Sequence, residues 1–326
     1  MNQILFPRTS YDGTSLSKTI LEKWYCDNIE SEIYGRLEKI DAKHLEFMEK
    51  RALKWIKCCL HHLLLASPQW MERVSRIVDM YGKFLFRSKD NNVHCFKDEI
   101  YDAFNYDSYR KNTLILLAEK LNIKSCPYCN MHYTLFAEEG KNLKDKITKF
   151  QFDHFFDKAD YPFLSMSLYN LIPSCAVCNQ GKSTRKISLN FHPYTSSINN
   201  QFHFVIPNPL ALYIGAKKDK IEVDLKSDAC SDDELAQYED MFHIKMLYRR
   251  HGDIVQEVFD KAYEEPYYLE PKFFKFLNGD ASAYLFRLVY GVYSSDLEIE
   301  KRPMSKFIHD MRNQALFLKQ LESKLD

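Results

Sequence analysis

Glycine is scarce in this chain, with nine in 326 residues. No stretch repeats or falls into low complexity, which excludes repeat arrays and low-complexity linkers. An excess of one charge is missing too: 45 Lys and Arg balance 45 Asp and Glu. Bulk charge therefore gives no attraction to nucleic acid, and a DNA-binding surface would have to come from local clustering. Long hydrophobic runs are also absent. The longest, CCLHHLLLA at 58–66, is too short to span a bilayer and holds two histidines. The opening MNQILFPRTSYDGTS lacks a basic segment followed by an apolar one, so no secretory signal is expected. The expectation is a cytoplasmic protein without membrane association. In a reducing cytosol its nine cysteines serve as thiols or metal ligands rather than disulfides, and an odd number cannot all pair within one chain.

What the chain does have is an ordinary globular composition, 45% hydrophobic and 28% charged, with 21 Tyr and 23 Phe. Few glycines and many aromatics favour long helices packed through rings. Apolar residues recur at three- and four-residue spacing in SLSKTILEKWYCDNIESEIYGRL and DAKHLEFMEKRALKWIKCCLHHLLLA, a helical period. Ser67-Pro68 reads as an N-cap with proline at the first helical position, opening QWMERVSRIVDMYGKFLF. Another helix is expected through YRKNTLILLAEKLN. From 123 to about 207 the chain turns often, at Cys-Pro, Tyr-Pro, Ile-Pro and His-Pro, and holds the strand-like runs HYTLF and KFQFDHFF. After FHFVIP and KIEVDL, helices resume. Ser231 with Glu234 makes a capping box, and RPMSKFIHDMRNQALFLKQLESKL carries the last helical pattern. The expected fold is mainly α with a small central α+β module. Its segments are a helical region over 1–122, the central module over 123–207 and a mostly helical region over 208–326.

Cys126 and Cys129 form one C-x-x-C pair, and Cys175 and Cys178 another. Buried thiols or a redox couple would explain one pair. Two pairs bracketing the least helical part of the chain point instead to four thiolates around one zinc ion. Four thiolates leave no open coordination position, so such a zinc is structural. The other cysteines (26, 58, 59, 95 and 230) show no ligand spacing, and most of them are expected in the core.

Between the pairs lies FQFDHFF, followed at intervals by Asn170, Asn179 and Gly181-Lys182-Ser183. Closing the zinc site folds the intervening loop back, so Asp153, His154, Asn170 and Asn179 are expected to be neighbours in space. The run CPYC…FDHFF…YPFLSMSLYNLIPSCAVCNQGKS resembles the HNH endonucleases, the ββα-metal or His-Me finger fold. The likeness covers about 126–186. The asparagine at the final position and the N-x-G-K-S ending resemble the HNH domain of RNA-guided CRISPR nucleases. The module with its helical tail is similar to HNH effectors of bacterial anti-phage systems, the Septu and retron-associated types above all.

The resemblance implies a set of roles. His154 is the general base, Asp153 and Asn179 hold one catalytic Mg²⁺ or Mn²⁺ through oxygen, and Asn170 braces the loop and orients the histidine. Lys182, Arg185 and Lys186 form a basic patch for backbone phosphates. The substrate is DNA, and an ATPase or other sensor on a separate chain controls when the nuclease acts. Gly-Lys-Ser is not a P-loop, because Ala176 stands where its first glycine belongs. The competing reading is a non-catalytic, zinc-stabilised module that binds nucleic acid or protein.

Weaker signals remain. His192 in FHPY reads as a structural hydrogen-bonding residue, and His132 is unneeded beside four cysteines. His61 and His62, being adjacent, face different sides of a helix. KKDK (217–220) and YRRHGD (248–253) read as solvated surface, and YYLEPKFFKFL as core or a partner surface.

Overall fold

The computed structural model describes residues 4–40, 43–81, 95–140, 142–195, 201–209, 221–268 and 281–324. KKDK and most of YYLEPKFFKFL lie outside them. The chain is mainly helical, with four small two-stranded antiparallel sheets among the described residues. It divides into two compact units. One holds Ile4–Ile123 and Thr134–Thr195; the other holds Lys124–Tyr133 and the described residues from 201 onward. This division differs from the three sequence segments, because residues 134–195 pack with the N-terminal helices rather than standing apart.

In the first unit a short ribbon of β1 (Arg8–Thr9) and β2 (Ser15–Leu16) precedes α1, Lys18–Glu38. Ser17 caps α1, its hydroxyl accepting from Ile20 N at 3.2 Å, which satisfies one otherwise orphaned donor. Leu21, Tyr25, Ile29, Ile33 and Leu37 recur every four residues on α1 and are fully buried, each worth about 1.5–3 kcal/mol of hydrophobic burial. Around it pack α2 (Phe47–Cys58), α3 (Leu60–Leu64), α5 (Phe96–Phe104) and α7 (Thr113–Leu121), with α4 (Pro68–Tyr81) and α6 (Tyr106–Tyr109) completing the helices of this unit up to residue 123. Ser67 caps α4 as expected, accepting from Trp70 N at 3.3 Å.

The strands follow. Phe136–Glu138 (β3) pairs with Lys146–Thr148 (β4), and Gln151–His154 (β5) pairs antiparallel with Leu171–Ser174 (β6). In the second ladder Asp153 lies opposite Ile172 and His154 opposite Leu171. Ala176–Lys182 (α8) comes directly after β6. The long connection between β5 and β6 is not a solvated loop, because polar side chains tie its backbone to the helices. Tyr25 Oη donates to Met166 O at 2.9 Å, Ser167 Oγ to Leu63 O at 2.5 Å, and Tyr169 Oη to Glu22 at 2.6 Å.

In the second unit β7 (His203–Val205) pairs with β8 (Asp224–Lys226). Among the described residues its helices are α9 (Asp232–Phe242), α10 (Ile244–Tyr248), α11 (Gly252–Tyr268), α12 (Ala281–Tyr290) and α13 (Ser305–Glu322). The Ser231–Glu234 capping box opens α9 as read from sequence. No described helix is long and apolar enough to cross a membrane.

Candidate active site and metal centre

Cys126 and Cys129 sit on a tight knuckle. Cys126 N donates to His132 O at 2.9 Å, and Asn130 N donates to Cys126 O at 2.8 Å. Asn130 takes a left-handed conformation (φ 50°), which asparagine tolerates better than most residues. Its buried side chain reaches Ser125 Oγ at 2.9 Å and accepts from Lys306 N at 3.0 Å. Tyr238 and Tyr248 donate to the carbonyls of Tyr128 and Cys129 at 2.5 and 2.7 Å. Cys175, in turn, is the N-cap of α8, its sulfur accepting from Cys178 N at 3.5 Å. The sulfurs of Cys126, Cys129, Cys175 and Cys178 all lie within 4.8 Å of one another, and all four residues are buried. A tetrahedron with 2.3 Å zinc–sulfur arms has edges of about 3.8 Å, so the group fits a metal ion such as zinc. Two further groups lie close to Cys129 sulfur, Met131 N at 3.4 Å and His132 Nδ1 at 3.6 Å. N–H groups so placed favour a thiolate.

A second cysteine group was invisible in the spacing. Cys26 and Glu30, one turn apart on α1, meet His61 of α3, with His61 Nδ1 2.8 Å from Glu30 Oε2. Burial, with the charges of Glu30, Asp27 and Glu22, pushes the Cys26 thiol up to about 12. A thiol that keeps its proton at pH 7 is a poor ligand, which sets this group apart from the four-cysteine one.

The strand–strand–helix segment carries the polar residues singled out in the sequence. Asp153, His154 and Asn179 line one groove of about 420 Å³, together with Tyr106, Arg110, Gln151, Asp157, Lys158 and Ser183. His154 is 7% exposed. Its Nε2 is 2.9 Å from Ser165 O, and its ring meets Tyr106 edge-on at 4.5 Å. A carbonyl only accepts, so Nε2 carries the proton and Nδ1 the lone pair. Burial, which outweighs the Ser165 hydrogen bond, lowers the ring's pKa to about 3 and keeps it neutral at pH 7. Asn179 is half-buried, and its amide nitrogen donates to Gln151 Oε1 at 2.5 Å, which leaves the amide oxygen as an acceptor.

Asn170 does not line this groove. It is fully buried beneath the connection. Its Oδ1 accepts from Phe156 N at 2.7 Å, and its Nδ2 donates to Phe156 O and Leu164 O, both at 2.9 Å. One amide thus clamps the backbone just after His154 to the backbone just before Ser165, the carbonyl on which the imidazole rests.

The three expected phosphate contacts are not together. Lys182 is fully buried; its ammonium donates to His154 O at 2.6 Å and lies 3.3 Å from Asp153 Oδ1. It is an internal cation beneath the site rather than a surface contact, because α8 starts at Cys175 and turns its last residue inward against β5. Arg185 and Lys186 are exposed and border a separate cleft of about 150 Å³ with Asp79, Asp157 and Tyr161. There Arg185 donates to Gly181 O, and Lys186 pairs with Asp79 at 2.5 Å. Breaking a buried ion pair from one side leaves an uncompensated charge. Lys182→Met is therefore expected to lose about 3–5 kcal/mol in urea denaturation, and Lys182→Met combined with Asp153→Asn to regain part of it.

His192 is structural. It is fully buried against the Phe155 ring at 4.2 Å, and burial lowers its pKa to about 3. Unfolded histidine titrates near 6.5, so below that pH the unfolded chain binds a proton that the folded one refuses. The stability that neutral His192 contributes is complete above about pH 6.5 and is lost as pH falls from there toward 3. Between pH 7 and pH 5 the wild type is expected to lose about 2 kcal/mol more than His192→Gln, measured by urea unfolding at each pH.

Arg110 and Lys158 are groove residues that the sequence reading passed over. They lie far from the motif in the chain, or beyond its recognised letters, so no spacing linked them to it. No protein-family model, curated protein or solved structure matches this chain.

Proposed function

We propose that this protein is a metal-dependent HNH endonuclease that hydrolyses DNA phosphodiester bonds. The observation that carries the reading is the convergence of Asp153, His154 and Asn179 on one groove, from β5 and α8 in strand–strand–helix order. His154 is the general base. Its proton sits on Nε2 against Ser165 O, and Nδ1, which has no hydrogen-bond partner among the described residues, takes a proton from the attacking water. Asp153 and the amide oxygen of Asn179 are the hard oxygen donors that would hold one Mg²⁺ or Mn²⁺. When bound, that cation stabilises charge on the scissile phosphate and the leaving oxygen. Lys182 holds the Asp153 carboxylate and the His154 carbonyl in place. Asn170 fixes the two backbone segments that set the imidazole's position. The four cysteines would hold a structural zinc.

A non-catalytic zinc module has no use for a neutral histidine of fixed tautomer beside a carboxylate and an amide. The wider role rests on the resemblance of the motif layout alone: an effector of bacterial anti-phage defence under an ATPase or sensor on a separate chain. The test is nicking of supercoiled plasmid by the purified full-length protein with Mg²⁺ or Mn²⁺. Nicking that EDTA abolishes and renewed Mg²⁺ restores supports the reading. No nicking by folded, zinc-loaded protein, alone or with the product of the neighbouring gene, overturns it.

A further inference from the structure

The groove holds two cations that the motif does not supply, and their settings differ in an informative way. Arg110, the C-cap of α6, is exposed and makes no ion pair among the described residues. A guanidinium without a carboxylate partner, opening on a groove, is suited to bidentate contact with phosphate. Lys158 is half-buried and held in place: its ammonium lies 4.4 Å over the Tyr106 ring, donates to Tyr101 Oη at 2.8 Å, and has Asp107 4.0 Å away. The same Tyr106 ring packs against His154, so Lys158 and the candidate base sit against one aromatic platform. Burial lowers the Lys158 pKa, with Arg110 adding to the effect and Asp107 and Asp157 opposing it. A partly desolvated ammonium gains from an anionic oxygen placed beside it.

We propose that Arg110 and Lys158 form the phosphate-holding rim of the groove, gripping the nucleic-acid backbone beside the phosphate presented to His154. This inference rests on the nuclease reading and deepens it. It moves the backbone contacts from the Gly-Lys-Ser segment to side chains of the helical region and of the β5–β6 connection. Lys182, being buried, is left to the site's interior, and Lys186, paired with Asp79, to the neighbouring cleft.

The contacts are with phosphate, so they are sequence-independent and salt-dependent. Each one lost lowers the slope of log K against log salt by about 1 on duplex DNA. The experiment is fluorescence anisotropy of a labelled DNA duplex titrated with full-length protein in the His154→Ala background, over a salt series, so that the DNA stays intact. Arg110→Ala and Lys158→Ala are expected each to weaken binding roughly tenfold and to reduce the slope by about 1. Arg110→Lys is expected to keep most of the slope, which a merely structural role for the side chain would not predict. Binding by the parent with slopes unchanged in both alanine variants overturns the rim while leaving the nuclease reading intact. No binding of the duplex by the parent at low salt, together with no plasmid nicking by the wild type, overturns the nuclease reading and the rim with it.

Discussion

His154→Ala is expected to slow plasmid nicking by about 10²–10⁴-fold, the range a positioned general base contributes. Binding of DNA and of zinc should stay within experimental error of the wild type. The size of the effect follows from how fully the ring is prepared. It is neutral at pH 7, seated on Tyr106, and held in one tautomer by Ser165 O. Among the described residues no second imidazole lines the groove, and His192 is buried against Phe155. Alanine removes the proton acceptor and leaves the oxygen donors of Asp153 and Asn179 where they are. A His154→Ala protein that nicks at the wild-type rate would show the groove is not the catalytic one.

The second large effect concerns the four cysteines. Metal analysis of the purified protein is expected to find about one zinc per chain, and Cys126→Ser or Cys175→Ser to lose it. Structural zinc in small sites is worth about 10–16 kcal/mol at pH 7. Stripping it should therefore lower the melting temperature sharply, rather than trim activity in a stable fold. The reason is local. Cys175 sets the start of α8 and Asn179 lies one turn further on. Asn130, Tyr238 and Tyr248 hold the Cys126–Cys129 knuckle by its backbone, and without a metal that effort would hold bare thiols together. The two proposed metal roles separate experimentally. Brief EDTA treatment should abolish nicking reversibly while zinc stays bound, whereas a thiol-reactive mercurial should release zinc and unfold the protein. Zinc absent from protein that melts as the wild type does would contradict the structural role.

Much of this protein is written locally. The helical period around α1, the Ser67-Pro68 start, the Ser231–Glu234 box and the two C-x-x-C pairs each depend on residues a few positions apart. Short-range geometry is what sequence periodicity encodes. The four-cysteine group was legible for the same reason, two short turns with ligand spacing. Asp153, His154 and Asn179 were legible as letters, and their meeting in one groove agrees with the loop folding back.

Tertiary packing decided the rest. Lys182 reads in sequence as part of a basic patch for phosphates, and only the docking of α8 against β5 makes it the buried partner of Asp153. Arg110 and Lys158 carry no spacing that marks them in sequence, and α6 and the β5–β6 connection bring them to the same groove. Cys26, Glu30 and His61 meet only because α1 and α3 pack together. In each case the deciding term is long-range contact, with burial adding several kcal/mol for Lys182, and such contact leaves no periodic mark on the chain.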